Sequence, residues 1–298
     1  MTATWLEFTQ ALPLLRNALL LGLLIGAVAP LVGGWFVLRR MILLGVAIPQ
    51  VSSAGVSLVL FAHGVGLFGL SPLHVHGPQP VIVAVSLLVT TGVIVCLGWV
   101  SRRRPEWNDI AVGFVFALAT GSSFLLLGQS PVAEANMLDL LKGEILSTTD
   151  HQLVATAVAL LLIGAGFRLF HQEFFLIAHD RDFALSLRKP VGAHDILFYF
   201  LAGCAVTVFV MTAGPVTTFG YLILPPVAAL MLARGMRSFF WLASLLGMAA
   251  SVVSLVIGFF YDLPIGPVSV VVLAAACPLC WLLARAGSWF RRGADSTP

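Results

Sequence analysis

The chain has 298 residues, 59% of them hydrophobic and 10% charged, with a formal net charge of +3. A soluble domain carries about 25% charged residues, because buried ions are costly and a large core needs a charged coat. An ordinary soluble domain is therefore excluded, as is disorder, which needs few apolar residues and many charges. A lipid bilayer is the remaining solvent.

Crossing ~30 Å of hydrocarbon takes about 20 apolar residues in a helix, and the runs between charges give the spans. Asn17 to Leu38 is the first. Met41 to Ser101 is uncharged apart from His63, His74 and His76, long enough for two crossings joined by an outer loop at 63–80, where Gly, Pro and His concentrate. Ile110 to Ala133 is the fourth span and His151 to Phe167 a shorter fifth. Ile196 to Ala233 exceeds one helix and carries Gly214-Pro215 near its middle, so it divides into two spans. Ser238 to Tyr261 and Leu263 to Ala284 complete a set of about nine, with eight to ten as the bounds. The runs are solid Leu, Val, Ala and Ile rather than the alternating ten-residue strands of a membrane barrel. The predicted fold class is an all-α polytopic membrane protein, one transmembrane domain over 1–298.

Orientation follows from the basic residues. With the amino terminus outside and the carboxyl terminus cytoplasmic, every Lys and Arg faces the cytoplasm except Arg16 and Lys142, out of 16. The charge excess thus reports topology and not a nucleic-acid partner. A cleavable signal peptide is not expected, since Glu7 stands where a basic region belongs. Cys96, Cys204, Cys277 and Cys280 all fall within predicted spans and read as small buried hydrophobes.

Small residues such as Gly22 and Gly26, or Gly164 and Ala165, suit close helix packing. Irregular backbone at membrane depth is a stronger sign, because freed carbonyls and amides must be buried in protein or face a wet cavity. Three places qualify. Pro49 stands with Gln50, Ser52 and Ser53 just inside the second span. The stretch from Gly214 to Gly220 is followed by Pro225-Pro226, which together break the apolar run twice. Asp262 to Pro267 forms the turn between the last two spans. Polar side chains in hydrocarbon usually line something, so Pro49, Gln50, Ser52 and Ser53 are candidate pore-lining residues. In the outer loop, His74 and His76 flank one residue and His63 opens the segment; imidazole is the commonest metal ligand, which makes these three candidate metal contacts. The segment 168–195 mixes charges of both signs with Phe170, Phe174, Phe175, Phe183 and Leu187, and reads as an amphipathic cytoplasmic helix that docks on a partner or on the membrane surface. No nucleophile elbow, phosphate loop or zinc-protease motif is present, so the chain does not read as an enzyme.

Five segments, in order, resemble the membrane-spanning permeases of bacterial ABC importers for zinc, manganese and iron. Leu38 to Gly45 (LRRMILLG) is similar to the family's L-R-R-M-x-L-L-G, and Leu141 to Leu146 (LKGEIL) to L-F-G-x-I-L. Asp180 to Ala184 (DRDFA) is similar to D-P-E-F-A, Leu222 to Ala229 (LILPPVAA) to L-x-x-P-A-A-x-A, and Asp262 to Pro267 (DLPIGP) to D-L-P-T-G-P. The resemblance implies a permease working by alternating access as a dimer with a second copy of itself. It further implies a dimer of cytoplasmic ABC ATPases, an extracytoplasmic metal-binding protein, and a home in the bacterial inner membrane. This chain would bind no cofactor: a divalent metal, zinc or manganese, would be its cargo, and ATP would be hydrolysed on the partner. Asp180, Arg181, Asp182, Phe183 and Ala184 would couple to the ATPase. The family commonly places Asp and His one helical turn apart in the second span, whereas this chain has Val46 and Gln50 there, which adds Val46 to the candidate pore-lining residues as the resemblance implies; Arg188-Lys189-Pro190 precede the glycine expected after the coupling motif. Three alternatives follow: weaker ligation by Gln50, Ser52 and Ser53, transfer of the role to the loop histidines, or a non-metal substrate. A secondary transporter, the rival reading, would need a carboxylate within the membrane.

Overall fold

The computed structural model describes residues 5–64, 79–103, 107–129 and 148–294. The helices are α1 (Trp5–Leu38), α2 (Ile42–Gly64), α3 (Gln79–Arg103), α4 (Asn108–Gly128), α5 (Asp150–Leu169), α6 (His171–His179), α7 (Arg181–Ser186), α8 (Val191–Ala213), α9 (Pro215–Leu232), α10 (Met236–Tyr261) and α11 (Ile265–Ala294). Among the described residues, nine of these are long and apolar enough to cross a bilayer. The protein is thus an all-helical polytopic membrane protein, and the nine spans fall where the charge-free runs place them. His74, His76 and the Leu141–Leu146 motif lie outside the described residues, as does most of the outer loop.

Three boundaries differ from the sequence expectation, each for a physical reason. The first helix starts at Trp5 rather than near Asn17; a long Arg stem lets Arg16 ride on a helix near the membrane edge. The segment 168–195 is not one helix. The fifth span runs on to Leu169, two short helices follow, and α8 already starts at Val191, so Asp195 lies inside it. Finally, Pro225 and Pro226 do not break the chain: α9 continues through both. A proline removes one N–H, so Tyr221 and Leu222 lose the helical donors to their carbonyls while the helix persists. The Leu222 oxygen instead lies where a side chain at Gly33 of α1 would collide with it, a close approach of backbones that Cα–H donors stabilise. Pro49 is likewise carried within a continuous α2.

The break between α8 and α9 is real. Gly214 has φ 79°, a conformation that side chains disfavour, and Pro215 opens the next helix. The last hairpin turns at Asp262, with φ 52° and the Leu263 N–H bonded to the Gly258 carbonyl at 3.0 Å.

α1 is the spine. Its Gly22 and Gly26 meet Ser251 and Gly247 of α10, so that two small-residue pairs one turn apart interlock. Ser244 donates to the Ala27 carbonyl at 2.8 Å along the same seam. Gly164, by contrast, has open space where a side chain would go, and Ala165 is exposed, so that pair seals nothing within the protomer. Cys280 is buried, Cys204 and Cys277 are half-buried, and Cys96 is exposed rather than buried as expected.

α1 ends in a tight turn. The Met41 N–H bonds to the Phe36 carbonyl at 2.8 Å and the Arg40 N–H to that of Val37 at 3.1 Å, the paired closure of a Schellman turn. Arg40 occupies its left-handed position with φ 56°, where glycine is usual. Arg40→Gly is expected to stabilise the protein by up to about 1 kcal/mol, read as a rise of about 2 °C in the melting temperature of the purified protein. A fall would show that the Arg40 side chain holds more than the turn costs.

Candidate functional site

Helix geometry sorts the second-span candidates into two faces. Val46 and Gln50 are one turn apart and both half-exposed; Ile42 and Leu58 extend the same stripe and are exposed. This is the side of α2 that the protomer leaves partly open. Ser52 and Ser53 point elsewhere, at 0% and 5% exposure. The Ser52 and Ser86 hydroxyls are 3.0 Å apart and Ser86 donates to the Ser52 carbonyl at 2.9 Å, closing α2 onto α3. Ser57 donates back to the Ser53 carbonyl at 2.9 Å. Pro49 is also buried. The five candidates are therefore not one lining: two share the open face, and three are packed inside the protomer.

His63 lies in the last turn of α2. Among the described residues, no group of three or more His, Cys, Asp or Glu is placed to hold a metal. A recess of about 310 Å³ between α3, α5 and α8 is lined by His151, Gln152, Thr156, Met211 and Thr212, away from Gln50. Nearby, the Asn17 amide donates to Asp150 Oδ1 at 2.9 Å and to the Thr148 carbonyl at 3.2 Å, tying α1 to the start of α5.

At the opposite end, Asp180 to Ala184 form a compact device. Asp180 accepts from the Phe183 N–H at 2.8 Å, capping α7 and fixing the sharp entry from α6. Ala184 is fully buried in a small cluster with Ile177 and Val191. Phe183, Leu185 and Leu187 are all about half exposed, an apolar edge left open by the described residues. Arg181 does not face outward alone: its Nη1 lies 3.2 Å from Asp195 Oδ2. Asp182 is exposed.

Sequence reasoning missed what lies beneath that edge. Arg39 of the first motif turns inward, its Nη1 3.0 Å from Asp195 Oδ1, with both side chains only 4% exposed. The guanidinium lies over the Phe198 ring at 3.9 Å and near that of Phe174 at 5.7 Å. Phe167, Phe174 and Phe198 pack edge to face around it. Burial pulls the Arg39 pKa below its ordinary value, and the charge of Asp195 opposes that pull. The one signal in the sequence was an Asp close to the start of an apolar run.

Comparison with known proteins gives a likeness along nearly the whole chain. The profile of the ABC 3 transport family matches residues 11–283. The manganese import system permease protein ScaB of Streptococcus gordonii is 27% identical over 91% of this chain and 91% of its own. The manganese transport system membrane protein MntC of Listeria monocytogenes is 23% identical over 94% of each. The solved structure of PsaBC from Streptococcus pneumoniae in complex with Fab superposes with a TM-score of 0.76 at 22% identity, covering 93% of this chain and 95% of that one, which shows a shared fold. With that shared fold and a family profile covering residues 11–283, the chain belongs to the ABC 3 transport family.

Proposed function

We propose that the chain is the permease subunit of an ATP-driven importer for a divalent metal ion, manganese or zinc, alternating access in a dimer of permeases in the bacterial cytoplasmic membrane. The observation that carries the ATP-driven part is the capped α7 edge, whose exposed Phe183, Leu185 and Leu187 suit a soluble subunit. The relatives named for manganese support the cargo. In this reading the amino terminus is outside, segment 168–195 meets a cytoplasmic ATPase dimer, and an extracytoplasmic binding protein delivers the ion to the outer loop. The half-open stripe of Val46 and Gln50 faces the pore between two copies.

Val46 cannot ligate and Gln50 is neutral, so in this reading the ion passes the stripe with weaker ligation than a carboxylate and an imidazole would give. The test is uptake of manganese and zinc by the permease reconstituted with the ATPase that co-purifies with it. Gln50→Ala is expected to lower metal uptake about tenfold, the loss of one polar contact, and joint change of His74 and His76 to Ala to slow delivery. Unchanged uptake in both variants would remove these site roles. Absence of metal uptake in the unaltered complex would overturn the metal cargo, and failure to co-purify any ATPase would sink the importer reading.

A further inference from the structure

Asp195 ties the end of α1 to the start of α7. Its Oδ1 meets Arg39, in the turn immediately before α2, and its Oδ2 meets Arg181, the first residue of α7. One carboxylate inside α8 is thus shared between the turn that leads into α2 and the short helix carrying the exposed apolar edge. Stability alone does not call for such a site, because a buried ion pair is often no better than apolar side chains of the same volume.

The hold on Arg39 is also incomplete. Its Nε and Nη2 are buried without a hydrogen-bond partner among the described residues, and the plane of the group rests on aromatic rings. A cation held by one carboxylate and two ring faces follows that carboxylate when it moves. Arg181 differs, at 48% exposure against 4% for Arg39. Covering α7 with a partner removes water from Arg181 and strengthens its pull on Asp195, since attraction grows as the dielectric falls.

We propose that Asp195 is a positioning residue that transmits movement of α7 to α2: displacement of Arg181 redistributes the carboxylate between its two arginines, and Arg39 carries the change into the α1–α2 turn. The idea rests on the reading of α7 as the segment where the ATPase docks.

The experiment uses the complete permease–ATPase complex in lipid nanodiscs, with Cys96→Ser and a nitroxide on Leu58→Cys, an exposed position of α2. The distance between labels on the two copies is measured with and without ATP. Asp195→Asn leaves Arg39 buried without its counter-charge and is expected to lower yield, so the decisive variant replaces both partners, Arg39→Met with Asp195→Leu. That pair restores apolar packing. It is expected to assemble with the ATPase and hydrolyse ATP, yet to show no ATP-dependent change in label distance, while Asp195→Glu recovers part of the change.

A double variant whose α2 moves with ATP as in the unaltered protein would overturn the proposal and leave the triad a packing feature. Loss of the ATPase from the double variant would overturn it too, because the triad would then build the docking surface rather than transmit from it. If the unaltered complex shows ATP-driven movement but takes up neither manganese nor zinc, the cargo reading fails and the role of Asp195 stands.

Discussion

Gly33→Ala is expected to destabilise the protein by about 3 kcal/mol or more and to cut its yield from membranes sharply. A methyl group at Gly33 would fall on the backbone carbonyl of Leu222, and backbone, unlike the end of a side chain, cannot rotate away. Overpacking a tight core costs about 1–3 kcal/mol and occasionally more, and here α1 would have to separate from α9. The damage would spread, because α1 also interlocks with α10 through Gly22 and Gly26 and ends in the turn that positions Arg39. Gly92→Ala is the matched control: nothing lies within 4 Å of a side chain added there, and alanine suits a helix better than glycine by about 1 kcal/mol. Thermal unfolding of the purified variants checks both. A Gly33→Ala protein as stable as Gly92→Ala would mean that the α1–α9 crossing is looser than described.

The same crossing shows why some of the fold was legible in the sequence and some was not. Spans are set by the cost of charges in hydrocarbon, a term that each residue carries wherever it packs, so the runs between charges, two of them divided at Gly- and Pro-bearing stretches, located the nine spans of the described residues. Pro225-Pro226 misled, because a proline forbids one hydrogen bond, and whether the helix survives depends on what receives the freed carbonyl. The Leu222 carbonyl lies against Gly33, nearly two hundred residues away. Pairing of small residues was legible as a tendency but not as a partner choice: Gly26 found Gly247, while Gly164 found nothing within the protomer.

The site divides along the same line. Local chemistry was readable: Asp180 caps its helix and Phe183 stays out. The serines of α2 were not, since a hydroxyl such as that of Ser52 bonds within the protein, here to Ser86, as readily as it would line a path. The Arg39–Asp195 pair, 156 positions apart, lay in two segments that were read separately. An Asp next to an apolar run looks like a loop end until a buried arginine is found to neutralise it.

Phe183→Ala is expected to weaken ATPase docking by about 2 kcal/mol, roughly 30-fold, the scale of an aromatic anchor lost from the centre of an interface. The side chain is 52% exposed in the protomer, so its removal leaves the permease's own stability within about 0.5 kcal/mol. The neighbouring positions separate anchoring from presentation. Asp180→Ala removes the cap and loosens α7, at a cost of about 1 kcal/mol, so binding should fall less and recover when the helix is stabilised by lower temperature. Ala184 is fully buried between Ile177 and Val191, and Ala184→Phe would lift the whole edge from its seat, abolishing docking and lowering the melting temperature together. Titration of the purified ATPase onto the permease in detergent or nanodiscs, paired with melting curves, distinguishes these patterns. If Phe183→Ala binds the ATPase as tightly as the unaltered protein, the exposed edge of α7 is not the anchor, and Leu185 or Leu187 must carry the contact or docking must occur elsewhere.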